Sequence, residues 1–218
     1  MLPQLLALIL SAAAPTLISK PIPFSEKRKA LTRAYIKEHY GVETTTIAID
    51  PRLIVVHWTG LATLASSFRA FEREEIGDHR HELKGSSLGV SAHFLVDRDG
   101  AIYQLMPDNW MARHVIGLNH TAIGIENVGG VGGKEDLTEA QLKANVELVR
   151  YLQSKYPKIG RVIGHYEYLS LEKTPFFKEL NTSYRTKKVD PGPKFMKALR
   201  AKLKEDCLRR DSNARPVA

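Results

Sequence analysis

The sequence RVIGHYEYLS at 161–170, followed by TKKVDPGP at 186–193, decides how the rest of the chain is interpreted. The β-branched pair at the start of the first segment predicts a strand whose carboxyl end carries His165. In the second segment Lys188 and Asp190 are two residues apart, so an extended chain places both side chains on the same side. The Pro-Gly-Pro sequence that follows stiffens this part of the chain.

A second strand of the same kind occurs far upstream. The aliphatic run LIVV at 53–56 predicts a strand buried on both faces, and His57 follows it directly. His57, His165 and Asp190 together suggest a three-ligand zinc set, because a catalytic zinc site has three protein ligands and a fourth position for water or substrate. A single histidine after a buried strand is more often a hydrogen-bonded structural residue, so this interpretation depends on all three residues.

The composition predicts one globular domain with tails. The chain has 218 residues, of which 26% are charged and 43% hydrophobic. A formal net charge of +8 favours an anionic partner: nucleic acid, a membrane surface or an anionic cell-wall polymer. The basic residues are dispersed and form no aromatic–basic stripe, which argues against nucleic acid. The single cysteine, Cys207, excludes an intrachain disulfide and a cysteine-rich zinc site.

The apolar segment at 2–14 is too short to span a bilayer and ends in small residues. This pattern is typical of a secretory signal peptide and predicts export to the periplasm or beyond, although the positive charge that usually precedes it is weak. An apolar N-terminus with no role in export is the alternative. No cysteine follows the run, so we expect no lipid anchor and no membrane attachment.

Strands interleaved with helices predict an α/β fold, a mixed central sheet flanked by helices. We divide the chain into a signal peptide at 1–14, a lead-in and helix at 15–45, the main domain at 46–206 and a disordered tail at 207–218. The first predicted helix is capped by Ser25 and stopped by Gly41, and the second covers 63–76. A third runs from the cap Thr138 through Leu152, and a closing helix starts at Pro193. The further predicted strands are 91–96 and 101–105, which form a hairpin, and 122–128.

Five blocks of the sequence, in order, resemble the type 2 family of zinc-dependent N-acetylmuramoyl-L-alanine amidases, to which the peptidoglycan recognition proteins also belong. The blocks are LIVVHWTG (53–60), VSAHFLVDRDGAIYQLMP (90–107), ARHVIGLNHTAIGIENVG (112–129), RVIGHYEYLS (161–170) and KKVDPGPKF (187–195). One such motif is weak evidence, but five in the right order over most of the chain are strong.

The resemblance implies hydrolysis of the amide between the lactyl group of N-acetylmuramic acid and L-alanine, with peptidoglycan or muropeptide fragments as substrates. It implies His57, His165 and Asp190 as zinc ligands, Glu126 as the catalytic acid or base and Lys188 as the residue that stabilises the oxyanion. These roles agree with the chemistry, since amide hydrolysis needs an electrophile, a proton carrier and a cation beside the developing charge.

The remaining candidates in the predicted site have a structural alternative. The resemblance implies that His114 and Asn119 bind substrate, and we add Trp58 and His93 to that set. For His93, on the predicted hairpin, a structural role braced by a backbone group is at least as good an interpretation. Trp58 lines either the cleft or the core.

The orientation of three side chains relative to the site has to be assigned: the catalytic lysine, Val189 and Glu126. Lys187 competes with Lys188 for the catalytic role, and the spacing from Asp190 favours Lys188. Val189, between Lys188 and Asp190, is expected to point into the core. Glu126 has a solvent-facing strand position as its alternative.

Other functions stay open at this point. The first is a recognition protein that binds muropeptide without cutting it, although such relatives typically lack a zinc ligand. The second is a zinc hydrolase of a different bond, such as a peptide crosslink. The segment 166–187 is longer than in compact relatives and forms either a rim over the cleft or a mobile loop. We expect a monomer.

Overall fold

The computed structural model describes residues 14–76 and 86–213, with side chains described as far as 204. The predicted signal peptide therefore lies almost entirely outside the described residues, as do the segments 77–85 and 214–218. Among the described residues, no helix is both long enough and apolar enough to cross a membrane.

The core of the fold is a mixed sheet of six strands, in the spatial order β1-β4-β3-β5-β2-β6. All neighbouring pairs are parallel except the hairpin β3–β4, which is antiparallel as the sequence predicts. The strands are β1 (Leu17–Ser19), β2 (Leu53–Trp58), β3 (Phe94–Val96), β4 (Ile102–Gln104), β5 (Ala122–Asn127) and β6 (Arg161–Gly164).

The helices begin at the residues that the sequence indicates. Ser25 and Thr63 accept hydrogen bonds from backbone N–H groups of the first turns, and Thr138 forms a capping box with Gln141. Gly41 ends the first helix in the left-handed conformation, with φ of 66°. The helices are α1 (Glu26–Tyr40), α2 (Leu64–Glu72), α3 (Glu139–Lys155) and α4 (Pro193–Asn213).

Alternation along the central strand β2 separates the two faces of the sheet. Ile54 and Val56 pack in the cluster that contains α3 and α4. Leu53 and Val55 point the other way and pack with segments 115–118 and 168–184. His57 is the next residue on the Leu53 and Val55 face, so its side chain lies at the carboxyl end of the strand, under the second layer.

The structure differs from the sequence prediction at several element boundaries. The short edge strand β1 was not predicted, because three residues beside a long apolar run carry no periodic signal. The α2 helix ends at Glu72, before the predicted limit at Ile76. In place of the tail predicted from 207, α4 continues to Asn213, since 197–213 contains neither glycine nor proline.

The segment 166–187 is packed against the domain. Its first part is a 3₁₀-helix, His165–Leu171, and Phe177 and Tyr184 pack with the second core cluster. Glu179 accepts from Nδ1 of His39 at 2.9 Å, and both of these side chains are almost completely buried. These contacts agree with the rim prediction for this segment and disfavour a mobile loop.

Candidate metal centre

Three side chains that are far apart in sequence meet at the carboxyl end of the sheet. His57 ends β2, His165 follows β6 directly, and Asp190 precedes α4. The Nδ1 atoms of the two histidines are 3.0 Å apart, and Oδ2 of Asp190 lies 3.1 Å from Nδ1 of His57 and 3.0 Å from Nδ1 of His165. One atom of each residue thus converges on a single point, as the sequence predicts.

The chemistry of these three atoms fits a cation. A carboxylate only accepts hydrogen bonds, and a neutral imidazole offers one acceptor nitrogen. Three acceptors this close repel one another unless a proton or a metal ion lies among them. Tetrahedral zinc with bonds of about 2.0 Å separates its ligand atoms by about 3.3 Å, close to the separations seen here. The set of two nitrogens and one oxygen therefore fits zinc.

Burial and mutual charge shift the protonation of this cluster. Burial alone raises the pKa of Asp190, but the adjacent His165 and His57 outweigh it and hold the pKa well below its usual range. Burial, followed by the proximity of His57, lowers the pKa of His165 to about 4. The carboxylate is therefore anionic and the His165 imidazole neutral near pH 7, which are the forms that bind metal.

Glu126 lies beside the candidate metal position because of the strand register. His57 on β2 is paired with Glu126 on the parallel neighbour β5. Glu126 is on the same face of the sheet as His57, opposite to Ile125, which packs toward α3. Its side chain is 8% exposed and lines the same cavity as the candidate metal ligands, so the solvent-facing alternative is wrong.

The segment before Asp190 places one lysine at the cavity. Lys188 is half-buried and lines the same cavity, whereas Lys187 is exposed. The structure thus favours Lys188, as the two-residue spacing predicts. Val189 is 56% exposed, so the prediction that it points into the core is wrong: this segment lies at the surface, and its outward side faces solvent.

The cavity beside the candidate metal ligands has a volume of about 210 Å³, and its lining contains the predicted residues Trp58, His114 and Asn119. The side chains that it adds to the predicted set come from α1, from the segment between α2 and β3, from the segment between β4 and β5 and from the 166–187 segment. Its main further lining residues are Tyr35, Val90, Ser91, Arg113, Tyr184 and Thr186. Val90, Ser91, Arg113 and Thr186 lie within the quoted sequence stretches but were not singled out there. Tyr35 and Tyr184 lie outside those stretches and reach the cavity only through tertiary packing.

His93 and Asn119 both bond to backbone groups, and Asn119 also lines the cavity. His93 is fully buried, accepts from the N–H of Gly124 at 2.9 Å and donates to the carbonyl of Trp110 at 2.7 Å. Both ring nitrogens are therefore occupied by backbone groups, and the prediction of substrate contact is wrong. Asn119 is also fully buried, and its Oδ1 accepts from the N–H groups of His114 and Val115. It holds the turn that carries His114.

A buried polar network supports the edge of the sheet that carries His57. Asn127 donates to the carbonyl oxygen of His57 at 2.9 Å, and Asn145 on α3 donates to Oδ1 of Asn127 at 2.7 Å. Gln141, one turn earlier, donates to the carbonyl oxygens of Val96 and Val128. The sequence analysis missed this network, although polar residues on the apolar face of a helix were an available signal.

A glycine loop supports Trp58 at the rim of the cavity. Gly130 has φ of 73°, and a Cβ atom there would lie 2.2 Å from the Trp58 ring. Gly132 has a similar φ of 65°, but a Cβ atom there would have nothing within 4 Å. The two positions thus share the same backbone strain and differ in contact with the tryptophan.

We expect Gly130→Ala to destabilise the protein more than Gly132→Ala. Left-handed strain costs about 1–2 kcal/mol at either position, and displacement of the Trp58 ring adds about 1–3 kcal/mol at Gly130 alone. Urea denaturation of both variants measures the difference. Equal losses of stability would show that the ring does not depend on the loop.

Comparison with known proteins places the chain in a family. The family model for N-acetylmuramoyl-L-alanine amidases matches residues 48–193. This is more than half of the chain, and it includes the three convergent side chains and both neighbouring charged residues. The protein therefore belongs to the N-acetylmuramoyl-L-alanine amidase family.

Individual relatives agree with this assignment. The endolysin of Escherichia phage T7 is 33% identical over 85 residues, and that of Enterobacteria phage K11 is 30% identical over 84 residues. Each match covers 37% of this chain and 55% of the endolysin, so it spans about half the length of these relatives. The N-acetylmuramoyl-L-alanine amidase LysC from Clostridium intestinale URNW has the same fold, with a TM-score of 0.52 at 22% identity, covering 88% of this chain and 99% of LysC.

Proposed function

We propose that the protein is a zinc-dependent hydrolase of the amide between the lactyl group of N-acetylmuramic acid and the L-alanine of the stem peptide. The observation that carries this proposal is the convergence of His57, His165 and Asp190 at 3.0–3.1 Å, with Glu126 and Lys188 lining the same cavity. Membership of the N-acetylmuramoyl-L-alanine amidase family supports this choice of the cleaved bond. Peptidoglycan or muropeptide fragments are the proposed partners.

The proposed mechanism divides the work among the residues of the cavity. His57, His165 and Asp190 would hold zinc, which would supply Lewis acidity to the scissile carbonyl and would lower the pKa of water from about 15.7 to about 7. The Glu126 carboxylate takes a proton from the attacking water and passes it to the leaving amine of L-alanine. The Lys188 ammonium stabilises the negative charge that develops on the carbonyl oxygen.

The rest of the cavity orients the substrate. Trp58, together with Tyr184 and Thr186 from the 166–187 segment, lines the cavity and offers aromatic walls and polar edges for the sugar and the peptide. Lys188 is half-buried and lines the same cavity, where solvent screening is weaker than at the surface. The fixed walls reduce the entropy lost when the amide is aligned with the carboxylate.

We also propose that the protein is exported and acts as a monomer. The apolar segment at 2–14 and the wall-directed chemistry support export. Expression of the full sequence in a Gram-negative host, with cell fractionation and mass measurement of the N-terminus, tests it. A protein recovered whole from the cytoplasm would contradict export. Light scattering measures the molar mass in solution and so tests the monomeric state.

The bond is identified by mass spectrometry of defined muropeptides incubated with the purified protein. The proposal expects free stem peptides whose N-terminal residue is L-alanine, together with the sugar that carries a free lactyl carboxylate. A matched sample treated with a chelator should give neither product. Products cut within the peptide would indicate a zinc hydrolase of another bond. Unchanged muropeptides in the presence of one bound zinc per chain would indicate a recognition protein.

A further inference from the structure

His114 contacts the candidate zinc ligand His57 on the side away from the metal position. Its Nδ1 atom lies 3.0 Å from Nε2 of His57, and its own Nε2 lies 3.3 Å from the carbonyl oxygen of Ala122. The two histidine rings meet nearly at right angles, with an interplanar angle of 85°. A chain of contacts therefore runs from a backbone carbonyl through two imidazoles to the metal position.

The direction of the hydrogen bonds in this series of contacts follows from the groups at its two ends. At the Ala122 end, a carbonyl oxygen only accepts, so Nε2 of His114 carries a proton. At the other end, Nδ1 of His57 faces Nδ1 of His165 and the Asp190 carboxylate, and it binds a metal only if it carries no proton. The proton of a neutral His57 is then on Nε2, and Nδ1 of His114 accepts it.

The fold holds the His114 ring tightly in this position. A Cβ atom at Gly124 would lie 2.8 Å from the ring, so a side chain at this β5 position would displace it. The backbone N–H of His114 is bonded at 2.9 Å to the buried Asn119, which also bonds the N–H of Val115. The His114 ring thus packs against a strand position that has no side chain, and the backbone of His114 is held by Asn119.

We propose that His114 is a positioning residue that fixes His57 as the Nε2–H tautomer and thereby aims its Nδ1 lone pair at the zinc position. This inference rests on the proposed zinc site and differs from the substrate-binding role that the sequence resemblance implies for His114. Partners that orient a metal-bound histidine contribute about 10–100-fold to metal affinity. Loss of the His114 acceptor is expected to lower zinc affinity within that range.

The tautomer is measured directly on the zinc-loaded wild-type protein. Long-range ¹H–¹⁵N correlation spectra of histidine-labelled protein distinguish a protonated, a free and a metal-bound ring nitrogen. The proposal expects a protonated Nε2 and a zinc-bound Nδ1 for His57, and a protonated Nε2 with an unprotonated Nδ1 for His114. A zinc-bound Nε2 in His57, or a proton on Nδ1 of His114, would overturn it.

Two substitutions separate hydrogen bonding from space filling. His114→Asn retains an acceptor near the position of Nδ1, whereas His114→Phe retains the ring shape without an acceptor. Competition with a chromophoric chelator gives the zinc dissociation constant of each variant. The proposal expects a 10–100-fold weaker constant for the phenylalanine variant and a smaller change for the asparagine variant. His120→Phe, a nearby histidine that packs on Tyr40, is the control and should bind zinc as the wild type does.

The outcomes distinguish this inference from the proposed function. Phenylalanine and asparagine variants with equal zinc affinity, in a wild-type protein that binds one zinc, would refute the role of His114 and leave the zinc site intact. A wild-type protein that binds no zinc would refute the zinc site itself. If the phenylalanine variant does not fold, the tautomer spectrum of the wild type and the asparagine variant still decide the matter.

Discussion

Glu126→Gln is expected to lower kcat by about 10²–10⁴-fold while the protein stays folded and binds zinc. The substitution keeps the size of the side chain and removes only the capacity to carry a proton. Glu126 is paired in register with the ligand His57 and lines the cavity, yet it is not among the three residues that converge on the metal position. Substitution of Glu126 should therefore lower the catalytic rate without lowering zinc binding.

Steady-state hydrolysis of a muropeptide, together with metal analysis of the same sample, tests the expectation for Glu126. Glu147→Gln, an exposed position on α3, is the matched control and should retain wild-type turnover and zinc. A Glu126→Gln variant with turnover near that of the wild type would remove Glu126 from the mechanism. A variant that lost its zinc would show that Glu126 supports the metal.

Asp190→Ala is expected to lose zinc and, with it, activity. Asp190 supplies the anionic atom of the three that converge, and two protein ligands rarely hold zinc. Since loss of an outer partner costs about 10–100-fold in metal affinity, loss of a ligand should cost more. The variant should also lose the rise in melting temperature that zinc gives to the wild type, because zinc stabilises a protein only in proportion to its binding.

Asp190→Cys is the informative companion to this variant, because a thiolate is also a zinc ligand. It should recover zinc in metal analysis after dialysis, whereas the alanine variant should not. Retention of a full equivalent of zinc in the alanine variant would show that the metal is bound elsewhere.

Features that depend on local physics were predictable from the sequence. The caps at Ser25, Thr63 and Thr138 act within one turn, so the helix starts follow from the residues alone. The uninterrupted aliphatic run of β2 marks a central strand, and the histidine after it lies at the carboxyl end of a parallel sheet, where ligands bind. The three candidate metal ligands follow from this placement.

Features that depend on tertiary contacts were not predictable. The sequence shows a polar residue at His93 but not that its partners are backbone groups of Gly124 and Trp110, which are distant in the chain. The same holds for Asn127, whose bond to the His57 carbonyl requires the register of two strands. The 166–187 segment packs against α1 through the contact between Glu179 and His39. Its own sequence has no hydrophobic periodicity that would predict this packing.

Titration of the metal-free protein with zinc, with hydrolysis followed at each point, tests the central claim most directly. The account predicts no hydrolysis without metal, a linear rise to full activity at one zinc per chain, and no further rise beyond it. The same titration of Asp190→Ala should stay flat. Full hydrolysis by the metal-free protein, or activity unrelated to zinc occupancy, would contradict the account.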